Sequence, residues 1–266
     1  MIDKLLKLLK AMIVSFGYFI IYLPIFIIMF ISFNNSKYTF EWNGFTLKWY
    51  QEIFVNEGLR TAIFHSLTIA VLSTFIATIA GTLIAIGING LSKKNRVKMM
   101  ILNNVPVINP DIVTGISLMI VFSLLPISFG MSTMLVAHIF FSIPFVVLTV
   151  LPKLKELDPN LYEAALDLGC TRAQGIYKVI VPSIKTSIIA GALIAFTMSI
   201  DDFVISYFTT GNDYDNFSIW LYSALKLRGV NPGAYAYNTL IVFVTIGVLG
   251  YINFSNKSKF KRRNEK

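Results

Sequence analysis

Six long runs of apolar residues constrain this 266-residue chain more than any other feature. A membrane-spanning helix needs about 20 mostly apolar residues to cross roughly 30 Å of hydrocarbon, and each run is long enough. Only 14% of the residues are charged, whereas soluble domains have about 25%. The sequence therefore predicts an all-α integral membrane protein with one transmembrane domain, 1–266, and six transmembrane helices. The predicted spans are 11–33, 61–89, 99–125, 132–151, 186–208 and 234–254.

The basic residues are distributed unevenly between the two sides that six spans create. Eighteen of the 23 Lys and Arg residues lie before the first span, between spans two and three, between spans four and five, or after the sixth. The positive-inside rule therefore predicts that both termini are cytoplasmic. The basic residues form short clusters and no aromatic-interleaved stretch, so the net charge of +9 does not predict nucleic-acid binding. The basic tail, residues 255–266, is expected to contact acidic membrane lipid.

The sequence carries no motif for bond hydrolysis or for a bound cofactor. It contains no GxxxxGK[ST], H-E-x-x-H or G-x-S-x-G sequence, so we predict that the chain is not an enzyme and needs no cofactor. The single cysteine, Cys170, excludes a disulfide within the chain. His65 and His138 have no partner at metal-ligand spacing, and we interpret both as structural. The first apolar run lacks an A-x-A cleavage site, which favours a retained span over a removed signal peptide.

Aromatic residues are frequent between the first and second spans, in segment 34–60. Tryptophan and tyrosine are typical of membrane interfaces, and anchoring explains most of them. The run 46–58 predicts a short helix that lies on the membrane. Trp49 is retained as a candidate binding residue, because an indole face can hold a cation.

The third span contains a break. Pro106 and Pro110 lie four residues apart and interrupt the helical hydrogen-bond ladder just before Asp111. Irregular polar backbone inside a membrane is tolerated where it faces protein or a water-filled cavity. We therefore predict that this segment lines a pathway. Asp111 lies 13 residues after Lys98, which is roughly 20 Å along a helix and near the midplane.

The fifth span contains two adjacent acids, Asp201 and Asp202. An uncompensated carboxylate there would cost at least about 2.5–3.5 kcal/mol. Neighbouring helical positions point about 100° apart, so both acids cannot face one lumen. One is expected to bind a ligand, and the other to support it or contact a partner. A purely structural role for Asp111, Asp201 and Asp202 remains the alternative.

The polar segment between the fourth and fifth spans has helix signals. Asp158 can cap a helix that begins at Pro159. Its apolar residues recur at the spacing of one helical face, while Glu163 lies off that face. The predicted apolar face consists of Leu161, Ala164, Ala165 and Leu168.

A turn and a second helix follow. Gly169 can adopt the positive φ that ends the first helix, and Thr171 with Gln174 forms a capping box for a second helix, which is expected to end at Pro182. This pattern resembles the EAA loop of binding-protein-dependent ABC importer permeases. The matching residues are Glu163-Ala164-Ala165, Gly169, Ile180 and Pro182.

The resemblance extends over essentially the whole chain and is closest to the C-type permeases of spermidine/putrescine ABC importers. It includes LKWY at 47–50, NPDIV at 109–113 and MSIDDFVISYFTTG at 198–211. It implies a type I ABC importer permease-like fold in the cytoplasmic membrane of a bacterium. It also implies a separate ATP-binding subunit, a second permease subunit and an extracytoplasmic polyamine-binding protein.

The same resemblance suggests roles for the singled-out residues. Asp111, Asp201, Asp202 and Trp49 become candidates for the substrate path, since carboxylates pair with ammonium groups. The cytoplasmic loop 152–185 is expected to couple to the ATPase. Its coupling residues would be Leu161, Glu163, Ala164, Ala165, Leu168 and Gly169.

Three other functions fit parts of the sequence. EAA loops are shared by importers of other solutes, such as opines, iron complexes or amino-acid derivatives. A proton-coupled cation carrier could use the three intramembrane acids as a relay. A membrane scaffold would leave those acids unexplained.

Overall fold

The computed structural model describes residues 2–36, 41–211, 214–228 and 232–247. Within these residues the fold is helical, and the extended pairing in this part of the chain is an isolated antiparallel bridge between Asn34 and Phe45. The all-α prediction is confirmed.

The described helices follow the predicted apolar runs, with additional short helices between them. The first six are α1 (Ile2–Ile31), α2 (Lys48–Val55), α3 (Glu57–Asn89), α4 (Lys93–Ile108), α5 (Asp111–Ser123) and α6 (Met131–Glu156). The next five are α7 (Asn160–Asp167), α8 (Arg172–Ser183), α9 (Lys185–Ile200), α10 (Val204–Thr209) and α11 (Phe217–Arg228). Residues 232–247 form α12.

Three of the described helices are long and apolar enough to cross a membrane on their own. They are Leu6–Ile31, Glu57–Asn89 and Met131–Glu156. Two bent pairs also qualify if each pair counts as one span: α4 with α5, bent by 101°, and α8 with α9, bent by 75°. Up to five candidate spans therefore lie in the described part. The predicted sixth span, 234–254, lies partly outside the described residues, and the basic tail lies wholly outside them.

The chain divides into two compact units, one with the residues up to Arg60 and from Leu221 onward, the other with Thr61–Trp220. In the second unit, α6 is central: α4, α9 and α10 all pack against it, and α10 also packs on α5. Val146 of α6 lies in the apolar core. A Cβ added to Gly81 would lie 2.7 Å from the Val146 Cβ. The absence of a side chain at Gly81 therefore allows α3 and α6 to approach closely.

The predicted helix-turn-helix between α6 and α9 is present. Asp158 Oδ1 accepts a hydrogen bond from the Asn160 amide at 2.9 Å, but α7 begins one residue later than predicted, and Pro159 is its N-cap residue in place of Asp158. Gly169 has φ +87°. The amides of Gly169 and Cys170 donate to Leu166 and Ala165 carbonyls, the hydrogen bonds of a Schellman motif.

The second helix of this loop, α8, runs past its predicted end. Its capping box is confirmed, with the Gln174 amide donating to Thr171 Oγ1 and the Thr171 amide donating to Gln174 Oε1. The helix continues through Pro182 to Ser183. A π-helical turn at Ile176–Ile180 precedes the proline. Proline has no amide N–H, so a carbonyl one turn earlier loses its partner. The wider π-helical turn points such carbonyls in new directions, and the helix is not terminated there.

Candidate functional site

The break in the third apolar run places Asp111 at a helix start. α4 ends at Ile108, and Asp111 is the first residue of α5, with its side chain exposed. The Pro110 carbonyl accepts hydrogen bonds from the Val113 and Thr114 amides at 2.9 and 3.1 Å. Because a carboxylate is favourable at a helix N-terminus, Asp111 suits this position and still faces outward.

A second break contains both Asp201 and Asp202. α9 ends at Ile200, Asp201 follows as its exposed C-terminal cap residue, and α10 begins at Val204. The predicted fifth span is therefore not one continuous helix. The Asp202 carboxylate accepts from the Ile205 amide at 3.3 Å and from the Ser206 amide at 2.7 Å. The Asp202 side chain thus caps the N-terminus of α10, and this side chain is 8% exposed.

The two breaks lie side by side because α10 packs on α5. A Cβ on Gly115 would lie 2.9 Å from Cδ2 of the Phe208 ring, so the two helices touch at this glycine. The Asp111 and Asp202 carboxylates are close enough to interact electrostatically. The sequence alone did not predict this proximity, because it depends on how two separate spans pack.

A buried polar network surrounds His138, a residue of α6 whose side chain is 0% exposed. Its Nδ1 lies 2.6 Å from Ser199 Oγ and its Nε2 lies 2.9 Å from Ser206 Oγ. Ser206 Oγ donates to Asp202 Oδ2 at 2.8 Å, and Asn216 Nδ2 donates to Ser206 Oγ at 2.8 Å. The network reaches α3 through Ser73, whose hydroxyl is 3.1 Å from that of Ser199.

Sequence reasoning interpreted His138 only as structural and missed this network. A signal was present, since Ser199, Asp202 and Ser206 are spaced three and four residues apart, as on one helical face. Serine, histidine and aspartate together resemble a hydrolase triad. However, Ser199 and His138 are both buried, so no substrate reaches the serine hydroxyl. This arrangement organises structure and performs no bond cleavage.

Trp49 lies in the other unit, where the segment between the first and second apolar runs folds back on itself. Its side chain is 3% exposed, and its Nε1 donates to the Asn34 carbonyl at 2.6 Å. The Lys48 ammonium lies over the indole, 4.4 Å from the ring centre, and also donates to the Asn35 carbonyl. The indole therefore already holds a cation of the chain itself.

The predicted coupling residues of α7 face in different directions. Ala165 is buried at 6% exposure, and Leu161 is half-buried. Glu163 and Ala164 are exposed, and Leu168 is 87% exposed. The inner contact of α7 includes Tyr162, whose ring would lie 2.9 Å from a Cβ on Gly175. The predicted apolar face is thus divided between an internal contact and an exposed surface.

His65 contacts the loop that contains Tyr214 and Asp215. Its ring stacks on Tyr214 with centroids 3.8 Å apart, and its Nδ1 lies 3.0 Å from the Asp215 carbonyl. Burial raises the pKa of the Asp215 carboxyl, while the nearby His65 acts in the opposite direction. In the part of the chain that the structure describes, no group of His, Cys, Asp and Glu residues could hold a metal ion.

This chain has several long apolar helices and a capped helical loop, and two of its predicted spans are interrupted beside carboxylates. Together these features define it as a helical membrane component of the transport type. Comparison with known proteins then identifies the family. Residues 77–255 match the binding-protein-dependent transport system inner membrane components, and the chain belongs to that family. It is a permease component of ABC transporters and not an enzyme.

Two curated relatives show the similarity over nearly the full length. The chain is 37% identical over 240 residues to the spermidine/putrescine transport system permease protein PotC of Escherichia coli K12, covering 90% of each chain. It is 33% identical over 252 residues to the putrescine transport system permease protein PotI of the same organism, covering 91% of this chain and 88% of the relative.

The fold is also that of solved importers. A bacterial ABC transporter for the import of the acidic polysaccharide alginate has a chain with a TM-score of 0.67 and 19% identity, covering 95% of this chain and 94% of that one. A structure of a bacterial alginate ABC transporter in complex with an alginate-bound periplasmic protein gives a TM-score of 0.65 and 20% identity, with 91% of each chain covered. The type I ABC permease fold is thereby confirmed.

Proposed function

We propose that this chain is a transmembrane permease subunit of an ATP-driven importer for polyamines of the spermidine/putrescine type. The observation that carries the proposal is the pair of exposed carboxylates, Asp111 and Asp201, each at a helix break inside a predicted span. Neither span contains a Lys or Arg residue. An alkyl polyamine with several ammonium groups would supply the missing positive charge directly. The identity with polyamine permeases over 90% of the chain supports the same substrate class.

In this proposal the two adjacent acids of the fifth span have different roles. Asp201 contacts an ammonium group, together with Asp111 from α5. Asp202 supports the site, since its carboxylate is occupied by the Ser206 hydroxyl and two amides. Trp49 is retained as a path residue on the strength of the sequence resemblance; its ring is buried and accommodates the Lys48 ammonium.

The proposal includes a six-span topology with both termini in the cytoplasm of a bacterial cell. The support is the asymmetry of the basic residues together with the three to five candidate spans in the described region. A single transmembrane domain with spans at the predicted positions follows from it. The loop 152–185 then lies in the cytoplasm.

The proposed partners supply what this chain lacks. An ATP-binding subunit would bind the exposed side of α7, where Leu168 extends into solvent, and Gly169 would set the turn behind it. A second permease subunit would complete the translocation path, and an extracytoplasmic binding protein would deliver the polyamine. Membrane lipid surrounds the apolar exterior.

Uptake of labelled putrescine, spermidine and spermine by cells that carry the full complex tests the proposal. Asp111→Asn and Asp201→Asn should each reduce uptake at matched expression, and more for a triamine than for a diamine. If uptake persists without the ATPase partner and collapses with the proton gradient, the chain is a proton-coupled carrier. Unchanged polyamine uptake in both variants would rule out the carboxylates as the path.

A further inference from the structure

We propose that His138 is a positioning residue for the substrate path: a neutral imidazole protonated at Nε2 that holds Ser206 against Asp202 and so fixes the helix break that presents Asp201. This inference rests on the proposed function for its meaning in transport. Its geometric part concerns only buried contacts within one compact unit.

The contacts around Asp202 determine the direction of each hydrogen bond. An ionised carboxylate can only accept, so the Ser206 hydroxyl, 2.8 Å away, donates its proton to Asp202 Oδ2. Ser206 Oγ then has only lone pairs for its other neighbours. Asn216 Nδ2 donates to one of them at 2.8 Å, and His138 Nε2, at 2.9 Å, must carry a proton and donate to the other.

The opposite ring nitrogen completes the assignment. In a neutral imidazole protonated at Nε2, Nδ1 is an acceptor. Ser199 Oγ, 2.6 Å away, therefore donates to it, and the Ser73 hydroxyl lies 3.1 Å from Ser199 Oγ. The chain of donors runs in one direction from α9 through α6 to the cap of α10. Both ring nitrogens are satisfied without a charge on the imidazole.

The consequence for transport follows from the position of Asp202. Its side chain replaces the hydrogen bonds that are lost where the helix stops at residue 200, because it accepts from two amides of α10. Without His138, the Ser206 hydroxyl could turn away and the cap would weaken. Asp201 is the residue directly before Asp202, so the Asp201 side chain would then no longer be held in one direction.

The chain offers a matched pair of serines to test this role. Ser206 and Ser142 are both fully buried. Ser142 lies one turn beyond His138 on α6, and its hydroxyl has no hydrogen-bond partner among the described residues. In the full complex, Ser206→Ala should raise the KM for spermidine uptake about ten-fold, the effect of losing a hydrogen bond to a charged group. Ser142→Ala should leave the KM unchanged.

Histidine variants provide the second arm. His138→Leu removes the hydrogen bonds to Ser199 and Ser206 and the 3.5 Å approach of Nε2 to Asp202 Oδ2, and it should raise the uptake KM by about ten-fold or more. His138→Gln retains an N–H donor for Ser206 and should restore part of the affinity. The pH profile of uptake from 5.5 to 8 should be the same in His138→Gln and in the wild type, because a neutral imidazole does not titrate there. Loss of a pH-dependent step in that variant would show a proton relay and overturn the proposal.

A third readout does not depend on the substrate. In a Cys170→Ser background, Asp201→Cys can be modified with a cationic thiol reagent, and the labelling rate reports how residue 201 is presented. Ser206→Ala should change that rate and Ser142→Ala should not. If the rate and the uptake KM are unchanged while only the amount of complex falls, His138 is a packing residue alone. If wild-type cells take up no polyamine but the labelling difference holds, the proposed function fails and the positioning role stands.

Discussion

At the scale of single residues, two neighbouring aspartates have opposite environments. Asp201 is exposed at the end of α9, whereas Asp202 is nearly enclosed and accepts three hydrogen bonds. The difference arises because both lie in the break between α9 and α10, where Asp201 is the C-terminal cap residue of α9 and the Asp202 side chain turns onto the first amides of α10. A carboxylate that already accepts several protein donors has little capacity left for a ligand, while an exposed one retains its full capacity.

Neutralising each aspartate should therefore give a different phenotype. Asp201→Asn should raise the KM for polyamine uptake with little change in stability. Asp202→Asn should lower the stability of the detergent-solubilised protein by about 1–3 kcal/mol, because buried donors lose their acceptor. Uptake kinetics and thermal unfolding measure the two effects. Identical phenotypes for the two variants would contradict the assignment of ligand to Asp201 and cap to Asp202.

The loop that contains Tyr214 and Asp215 offers a pH-dependent prediction at Asp215. Burial raises the pKa of its carboxyl above the ordinary 3.8. The folded state then retains the proton to a higher pH than the unfolded state. The stability that the protonated Asp215 carboxyl contributes is therefore present at low pH and is lost as the pH rises through the raised pKa. Asp215→Asn should reduce that loss.

Unfolding midpoints of wild type and Asp215→Asn, measured between pH 4 and 7, test this effect. As the pH rises, the unfolding midpoint of Asp215→Asn should increase relative to that of the wild type. The Asp215 side chain can be changed without loss of the backbone carbonyl that contacts His65. A difference that does not vary with pH would show that burial of this carboxyl has no role in stability.

At the scale of elements, the loop between α6 and α9 is determined by local signals. The positive φ of Gly169 and the Thr171–Gln174 box formed where the residue types predicted them, and Asp158 accepts from the first amide of α7. Each of these contacts joins residues close in sequence, so no tertiary packing is needed to set it. The end of α8 was predicted less well, because a π-helical turn let the helix continue through Pro182.

Substitution of Gly169 should separate coupling from folding. Gly169→Val places a β-branched residue at φ +87°, at a cost of about 1–3 kcal/mol. Transport should fall while membrane insertion persists. Gly169→Asn is the matched control, since asparagine tolerates this conformation and should retain most transport. A fully active valine variant would argue against a role for this turn in coupling.

At the scale of the whole molecule, the proposed topology rests on where the basic residues lie. Eighteen of 23 are on one side of the predicted spans. A cysteine introduced as Asn56→Cys in a Cys170→Ser background should react with an impermeant thiol reagent in intact cells. The natural Cys170 should react only after the membrane is opened. The reverse pattern would show that the orientation is wrong.

The sequence by itself determined that the chain is a helical membrane protein, that its third apolar run is interrupted just before Asp111, and how the loop around Gly169 turns. Apolar length, proline and capping residues act over a few positions, so these features can be predicted from local pattern. The family resemblance also came from residues that are contiguous in the chain.

Only the tertiary structure decided which acid is exposed and what surrounds His138. The partners of His138 lie 61 and 68 residues away along the chain. Whether those side chains meet depends on the rotation and depth of α6, α9 and α10. Helix packing sets both quantities, and small residues such as Gly81 and Gly115 bring the helices close enough. A sequence records the residues that can bond, whereas the packing of helices selects the pairs that do.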